Sequence, residues 1–267
     1  MPSQTTDHVL FPPASGFRSG ERGVHNTRTL MLNDVVDLFN VVPPGAPREA
    51  YEQTIVHENV LGKRTSSTRI YSFRRLTELY SLDPVVPVFR LLRTYWSADD
   101  GDGRPVLAML CALARDPILR LTTEPVLALD LGAPFEKGAL ERAVETGAPG
   151  RFSPTSVAKI ARMTGSSWTQ SGHLGGRALK TRTRPRVTPA ALAYALVLGY
   201  LSGVRGGPLF ETLWARVLDA PLDRLHDLAQ DASRRGLLTY RNAGGIVDMT
   251  FASILTDAEL AEADDQG

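Results

Sequence analysis

The sequence predicts an all-α, mainly helical protein, with an N-terminal helical bundle followed by helix-turn-helix or winged-helix-like units that carry short β-hairpins. Apolar residues recur at helical spacing, as in Ile70, Phe73, Leu76 and Tyr80. Ser/Thr residues and prolines stand at the expected helix starts, for example Ser153 followed by Pro154. Strand-like runs are short and flank glycines. Helices therefore dominate the prediction.

The chain divides into five predicted segments by composition and periodicity. The first is polar, rich in Gly and Pro, and aperiodic, which is typical of a flexible tail. The last is acidic. The segments are a flexible tail at 1–27, a helical bundle at 28–135, a basic helix-turn-helix and wing-like unit at 136–187, a second winged-helix-like unit at 188–255 and an acidic tail at 256–267.

In the bundle, the Ser66 to Thr68 cluster is expected to cap a helix that ends near Pro84. The single cysteine, Cys111, lies in an apolar run and is predicted to be a buried thiol. One cysteine forms no disulfide within the chain, and the N-terminus lacks a secretory pattern, so we expect a cytoplasmic protein. The acidic loop 99–103 is interpreted as a solvated turn.

The helix that begins after Ser153 has two contrasting faces. One is apolar and the other presents two cations and two hydroxyls, a combination that suits phosphates and base edges in a major groove. The glycines and alternating cations that follow predict an extended, wing-like hairpin. The predicted apolar face is Val157, Ile160, Ala161, Thr164 and Trp168, and the predicted exposed face is Thr155, Lys159, Arg162 and Ser166.

In the second unit, Val187 to Val204 is eighteen residues without a charge. Its small residues and helix-start signals favour a buried core helix over a membrane span. Runs on either side of Asn242 to Gly245 predict a β-hairpin. Asp223, Asp227 and Asp231 recur every four residues, so that helix face would repel DNA and is assigned a structural or protein-contact role.

The net charge of +1 conceals an uneven distribution. Residues 151–187 contain eight Lys or Arg and no acid, whereas 257–267 contain five acids and no base. A second basic group lies between Glu58 and Glu78. Both groups predict contact with nucleic-acid phosphates. The predicted DNA-binding residues are Lys63, Arg64, Arg69, Arg74, Arg75, Lys159, Arg162, Arg177, Lys180, Arg182, Arg184 and Arg186.

Signals for chemistry are weak. Ser156 and Lys159 match the spacing of penicillin-interacting hydrolases, but Lys180 and Thr181 are followed by Arg182 where that class has glycine. The five histidines show no metal-ligand spacing, and no phosphate-binding loop or dinucleotide motif is present. We therefore expect no catalytic residue, no metal and no cofactor.

The stretch NVLGKRTSSTRIYSFRRLTELYSLDP resembles the BrxA family of BREX (bacteriophage exclusion) phage-defence systems, and the resemblance extends more weakly over residues 60–255. It is carried by Asn59, Leu61, Lys63, Arg64, Ser67, Thr68, Arg74, Leu76, Leu79 and Leu82. The resemblance implies a non-enzymatic, all-helical DNA-binding component, similar in part to NusB-type folds, that acts beside a methyltransferase and other defence proteins. It implies DNA contacts at Lys63, Arg64 and Arg74.

Three functions remain open. The first is a double-stranded DNA-binding component of a phage-defence assembly, with RNA as the other possible nucleic acid and no membrane partner. The second is a winged-helix transcription regulator, which would show a high ratio of specific to random-sequence affinity. The third is a protein-interaction scaffold that uses the acidic helix face and tail and binds no nucleic acid.

Overall fold

The protein is described by a computed structural model that covers residues 11–20, 23–177 and 179–264. It is mainly helical, as predicted. The N-terminal half comprises a 3₁₀ turn (Val24–Asn26), α1 (Leu32–Val41), α2 (Arg48–Glu52) with a π-helical turn (Gln53–His57), α3 (Ser66–Tyr80), α4 (Pro87–Ser97), α5 (Arg104–Arg115), α6 (Pro117–Arg120) and α7 (Thr123–Leu127).

The second half contains two antiparallel hairpins among its helices. Its elements are α8 (Lys137–Gly147), α9 (Pro154–Gln170), β1 (Leu174–Gly175), β2 (Thr181–Arg182), α10 (Pro189–Leu201), a 3₁₀ turn (Gly207–Glu211), α11 (Leu213–Val217), α12 (Leu222–Arg234), β3 (Thr239–Ala243), β4 (Ile246–Thr250) and α13 (Asp257–Asp264).

Local sequence signals explain several boundaries. Thr65, the residue before the predicted Ser/Thr cluster, caps α3 by accepting a hydrogen bond from Thr68 N at 3.2 Å. Ser153 caps α9 and Pro154 occupies its first turn, as the sequence indicated. The β3–β4 hairpin turns through Gly244 and Gly245, both with positive φ. Such a turn matches the twist of the paired strands, and the predicted second hairpin is confirmed.

The central helix is α10, and its residues from Ala190 to Leu201 are all buried. It packs against α4 and α5 as well as α11 and α12. The buried core helix expected in this uncharged run is confirmed. Within the described part of the chain, no helix is both long and apolar enough to cross a membrane.

One hydrophobic core runs through most of the described residues, from Phe17 to Ala263. The hydroxyl of Tyr95 in α4 donates to Leu237 O at 3.0 Å, and that of Tyr194 in α10 donates to Val88 O at 2.9 Å. The boundary predicted at residue 188 therefore does not separate two cores, because α10 packs both on helices of the N-terminal bundle and on the helices that follow α10.

The chain ends differ from the predicted tails. Residues 1–10 lie outside the described part, but Phe17 and Val24 are buried, and Val88 N donates to Ser15 O at 3.0 Å. Gly16 has φ +93°, and an added Cβ would lie 2.3 Å from Val86 Cγ1. This close approach requires glycine. The prediction of a flexible tail is wrong for 11–20 and 23–27, because apolar side chains there join the core.

The acidic C-terminal segment is also ordered over α13. Arg90 in α4 donates to the Glu259 carboxylate at 2.5 Å and to Ile254 O at 3.1 Å, while Ala263 is buried in the core. The segment predicted as an acidic tail therefore docks on the protein up to residue 264.

Candidate nucleic-acid interface

Helix α9 carries the strongest candidate site, and its two faces are those that the sequence predicted. Val157, Ile160, Ala161, Thr164 and Trp168 are all buried. This face packs on α8, and Trp168 Nε1 donates to Thr122 Oγ1 at 2.9 Å. Because the buried side is fixed by an aromatic anchor and a hydrogen bond, the rotation of the opposite side is also fixed.

On the outward side of α9, Lys159 and Arg162 are both exposed. Neither forms an ion pair with any described residue. Ser166 lies one turn beyond Arg162 and is half-buried. Charges that have no internal partner keep their full attraction for an outside anion.

Two further lysines adjoin this side of the helix. Lys180, in the loop leading to β2, donates from Nζ to Thr169 Oγ1 of α9 at 2.6 Å. Lys137, at the start of α8, lines the same cavity as Arg162 and Lys180 and forms a 3.0 Å ion pair with Glu141. We call Lys137, Lys159, Arg162 and Lys180 the α9 basic face.

The predicted wing-like hairpin is short, with only two residues in each strand. Instead of extending into solvent, its second strand packs inward alongside the segment before α8. Gly132 N donates to Arg182 O, and Phe135 N donates to Lys180 O at 2.8 Å. The glycines and Pro185 turn the chain back on the protein, where Pro185 packs at Gly172.

Arg182 is 2% exposed, which corrects its predicted role in DNA contact. Its guanidinium forms a 2.8 Å ion pair with Asp219 and donates to His173 O at 3.2 Å and to Thr183 O. An unpaired buried guanidinium would be costly, so these partners account for its charge. Lys180, Arg182 and Arg184 stand at every second position, so strand alternation would place them on one side. The burial of Arg182 therefore follows from its partners Asp219 and His173.

The other hairpin cations are dispersed. Arg177 is exposed beside residue 178, which lies outside the described residues. Arg184 is exposed near Leu127 and Arg216, and Arg186 forms an exposed 2.7 Å ion pair with Asp102 of the α4–α5 loop. The structure therefore unites Lys180 with the α9 cations, and places Arg184 and Arg186 on other parts of the surface.

In the α3 group, three of the five predicted contacts are engaged within the protein. Lys63 forms a 2.8 Å ion pair with Asp34, and Arg69 donates to Val56 O at 3.0 Å. Arg75 bonds Glu78 at 2.7 Å and stacks on Tyr71. These three cations therefore have partners within the chain, which corrects the prediction that they contact phosphates. The remaining two, Arg64 and Arg74, are exposed and form no ion pair with the described residues.

Acids on α12 are arranged as the sequence predicted. Asp223 and Asp227 are exposed, and Asp231 is half-buried and paired with Arg234. In the α4–α5 loop, however, Asp99 is buried rather than solvated. It accepts hydrogen bonds from Gly101 N at 2.8 Å and Gly103 N at 3.0 Å.

Sequence reasoning missed a buried network that ties the N-terminal segment to α9. His25 Nδ1 lies 2.8 Å from Asp116 Oδ2, and His25 Nε2 lies 2.8 Å from Ser167 Oγ. Leu30 N also donates to Ser167 Oγ at 2.8 Å, and all three side chains are fully buried. The order Ser, His, Asp is that of a hydrolase triad, but here the serine oxygen accepts a hydrogen bond from the backbone of another segment.

Asp116 is the acceptor of this network, because Val24 N, His25 N, Ile118 N and Leu119 N all donate to its carboxylate. Burial alone would raise the pKa of Asp116, but the His25 ring and these backbone groups hold it below its usual value. No local sequence signal marks the network, since His25 and Ser167 are 142 positions apart.

A second buried histidine lies beside Arg182. His173 Nε2 is 2.7 Å from Val217 O, and Nδ1 is 2.8 Å from Ser171 Oγ. A carbonyl only accepts, so Nε2 carries the proton and Nδ1 accepts from the serine. Burial, together with the charge of Arg182, lowers the pKa of His173 to about 3, so the ring is neutral at physiological pH.

Two further kinds of reactive group are the cysteine thiol and side chains that could bind a metal ion. Cys111 is buried as predicted, and burial raises the pKa of its thiol to about 12. The described ranges contain no group of three His, Cys, Asp or Glu side chains that could hold a metal ion.

Comparison of the chain with protein-family models, with curated proteins and with solved structures gives no match in any of the three.

Proposed function

We propose that this protein binds double-stranded DNA through the α9 basic face, without catalysis of its own. The observation that supports this most directly is the pair Lys159 and Arg162, exposed on one side of a rigidly seated helix and without an ion-pair partner among the described residues. No acid occurs from residue 151 to 187 to offset them. Cations in this arrangement attract phosphates irrespective of base sequence.

The arrangement α8, turn, α9 and the β1–β2 hairpin is proposed as a compact winged-helix-like unit. In that arrangement α9 would enter the major groove, and the loop bearing Arg177 and Lys180 would reach the neighbouring backbone. The short strands limit the wing to this loop, so we assign most of the binding energy to the helix. Arg64 and Arg74 are proposed as an auxiliary contact at α3.

The BrxA-like stretch around α3 extends the proposal to a cytoplasmic component of a phage-defence assembly that works beside a methyltransferase. A transcription regulator is the competing proposal. The two differ in specificity, because a regulator prefers its operator to random DNA by about a thousandfold or more. A scaffold that uses the exposed Asp223 and Asp227 face would not retain DNA even at low salt.

The test is fluorescence anisotropy with a labelled duplex of random sequence across a KCl series. Each phosphate contact contributes about 0.9 to the slope of log affinity against log salt. Lys159→Ala with Arg162→Ala should therefore reduce the slope by roughly 1.8 and weaken all duplex sequences alike. An RNA duplex of the same sequence, run in parallel, distinguishes the two nucleic acids.

The matched control removes two exposed arginines on the acidic side, Arg234→Ala with Arg241→Ala, and so changes the net charge equally. Its slope should stay at the wild-type value. Equal slopes for both folded double variants would contradict a binding surface on α9. If the protein binds no duplex even at low salt, the protein-interaction scaffold replaces DNA binding as the proposed function.

A further inference from the structure

A cavity of about 360 Å³ lies against α9 on its basic side. Its apolar lining includes Phe135, Ala161 and Leu179, and its polar lining includes Arg162, Ser166 and Lys180. This volume lies within the range of small-molecule sites. A lining that is both apolar and cationic suits a ligand with an aromatic body and an attached anion.

Two hydrogen bonds and one glycine shape the cavity. Phe135 N donates to Lys180 O at 2.8 Å, which fixes the aromatic residue and the lysine side by side. Lys180 Nζ is anchored to Thr169 of α9. At Gly165 the helix has no side chain, and an added Cβ would lie 3.8 Å from the Phe135 ring. Leu140 Cδ1 would lie 3.5 Å from the same Cβ, so the Phe135 ring and Leu140 both pack near this glycine.

Leu179 completes the apolar part of the site and is 84% exposed. A single exposed leucine needs no explanation by itself. Here, however, it lines a cavity that a phenyl ring and three cations also line. A planar aromatic group placed between Leu179 and Phe135 would cover apolar surface, and a phosphate attached to it would reach Arg162 and Lys180.

We propose that this cavity receives a nucleobase whose phosphate binds Arg162 and Lys180. The inference deepens the proposed function, because the cavity shares Arg162 with the DNA-binding face. Two sources supply this chemistry: an unstacked base of a bound strand or a free nucleotide. In paired DNA, removing a base from the stack breaks its pairing and stacking, so an intact duplex leaves the cavity empty and an unpaired base fills it.

The experiment compares a paired duplex with the same duplex carrying one bulged adenine, by anisotropy, with AMP as a competitor. Stacking of one base on a protein aromatic corresponds to about a fivefold to hundredfold gain in affinity. We expect the bulged duplex to bind tighter by at least the lower figure. Phe135→Ala should abolish this preference and leave affinity for the paired duplex within about twofold.

A second variant tests the cavity even if Phe135→Ala does not fold. Leu179→Ala removes an exposed side chain and should reduce the bulge preference, whereas Val85→Ala, which is equally exposed at 84% but lies before α4, should not. Thermal melting establishes that each variant is folded.

Each outcome decides the proposal. A bulge preference that depends on Leu179 and resists AMP identifies a strand base as the ligand, and AMP binding that depends on Leu179 identifies a free nucleotide. If the protein binds paired and bulged duplex equally and does not bind AMP, the cavity proposal is wrong while DNA binding stands. If it binds neither DNA nor AMP, both proposals are wrong.

Discussion

Helices α3 and α9 both carry cations in stretches without acids, yet they use those charges differently. Lys63, Arg69 and Arg75 at α3 bond to a carboxylate, a carbonyl and a carboxylate within the chain. Lys159 and Arg162 at α9 face solvent without such partners among the described residues. A basic run in a sequence therefore does not by itself indicate a binding surface, because the fold decides which of its cations bond within the chain.

Within residues 151–187 the contrast is clearest at Arg182, which is buried whereas Lys159 and Arg162 are exposed. Arg182→Ala should leave Asp219 without its partner and lower the free energy of unfolding by about 3 kcal/mol. The salt slope of DNA binding should not change, because the buried guanidinium contacts no phosphate. Urea unfolding measures the first quantity and anisotropy the second. A reduced slope in the folded variant would return Arg182 to the binding surface.

Acid should destabilise this same region through His173. Its folded pKa of about 3 lies below the unfolded value of about 6.5, so the unfolded state takes up the proton first. Stability is therefore complete above pH 6.5 and is lost as pH falls, by about 1.4 kcal/mol per pH unit, or roughly 2 kcal/mol by pH 5.

The matching variant is His173→Gln, whose amide nitrogen can still donate to Val217 O but does not titrate. Its free energy of unfolding, measured by urea at a series of pH values, should fall less steeply than that of the wild type between pH 6.5 and 5. Identical slopes would mean that His173 does not control the acid response.

At α3, replacing Lys63, Arg69 and Arg75 together by Ala should affect stability rather than binding. We expect unfolding to become easier by about 2 kcal/mol, since three partly buried contacts are lost. Affinity for DNA should keep its wild-type salt slope. The companion variant Arg64→Ala with Arg74→Ala should leave stability unchanged, and any loss of slope there locates the auxiliary contact.

The smallest effect is expected at the acidic helix. Asp223→Asn with Asp227→Asn removes two exposed charges on α12, which contributes no residue to the α9 basic face. DNA affinity should stay the same or rise by less than about twofold at moderate salt, because salt screens exposed charges. Binding lost on this change would show that α12 takes part in the interface.

Sequence periodicity predicted the elements well where the signal was local. The buried face of α9, its Ser153 cap, the core helix α10 and the Gly244–Gly245 hairpin all depend on residues within a few turns of one another. The α9 cations were predicted for the same reason. Local patterns succeed here because one buried face dictates the opposite one.

Long-range partners account for what the sequence did not reveal. The inward turn of Arg182 depends on Asp219, which is 37 positions away, and the order of the N-terminal segment depends on Asp116. The cavity beside α9 combines residue 135 with residues 162 and 180. The composition of a single segment does not reveal these long-range contacts.

The His25, Asp116 and Ser167 network has a consequence for the order in which the chain folds. Its first member is synthesised about 140 residues before its last, so a nascent chain cannot complete these bonds until α9 has left the ribosome. Contacts of such high sequence separation slow folding, because the loop between them must close first. The segment that contains His25 therefore docks only after α9 has been made.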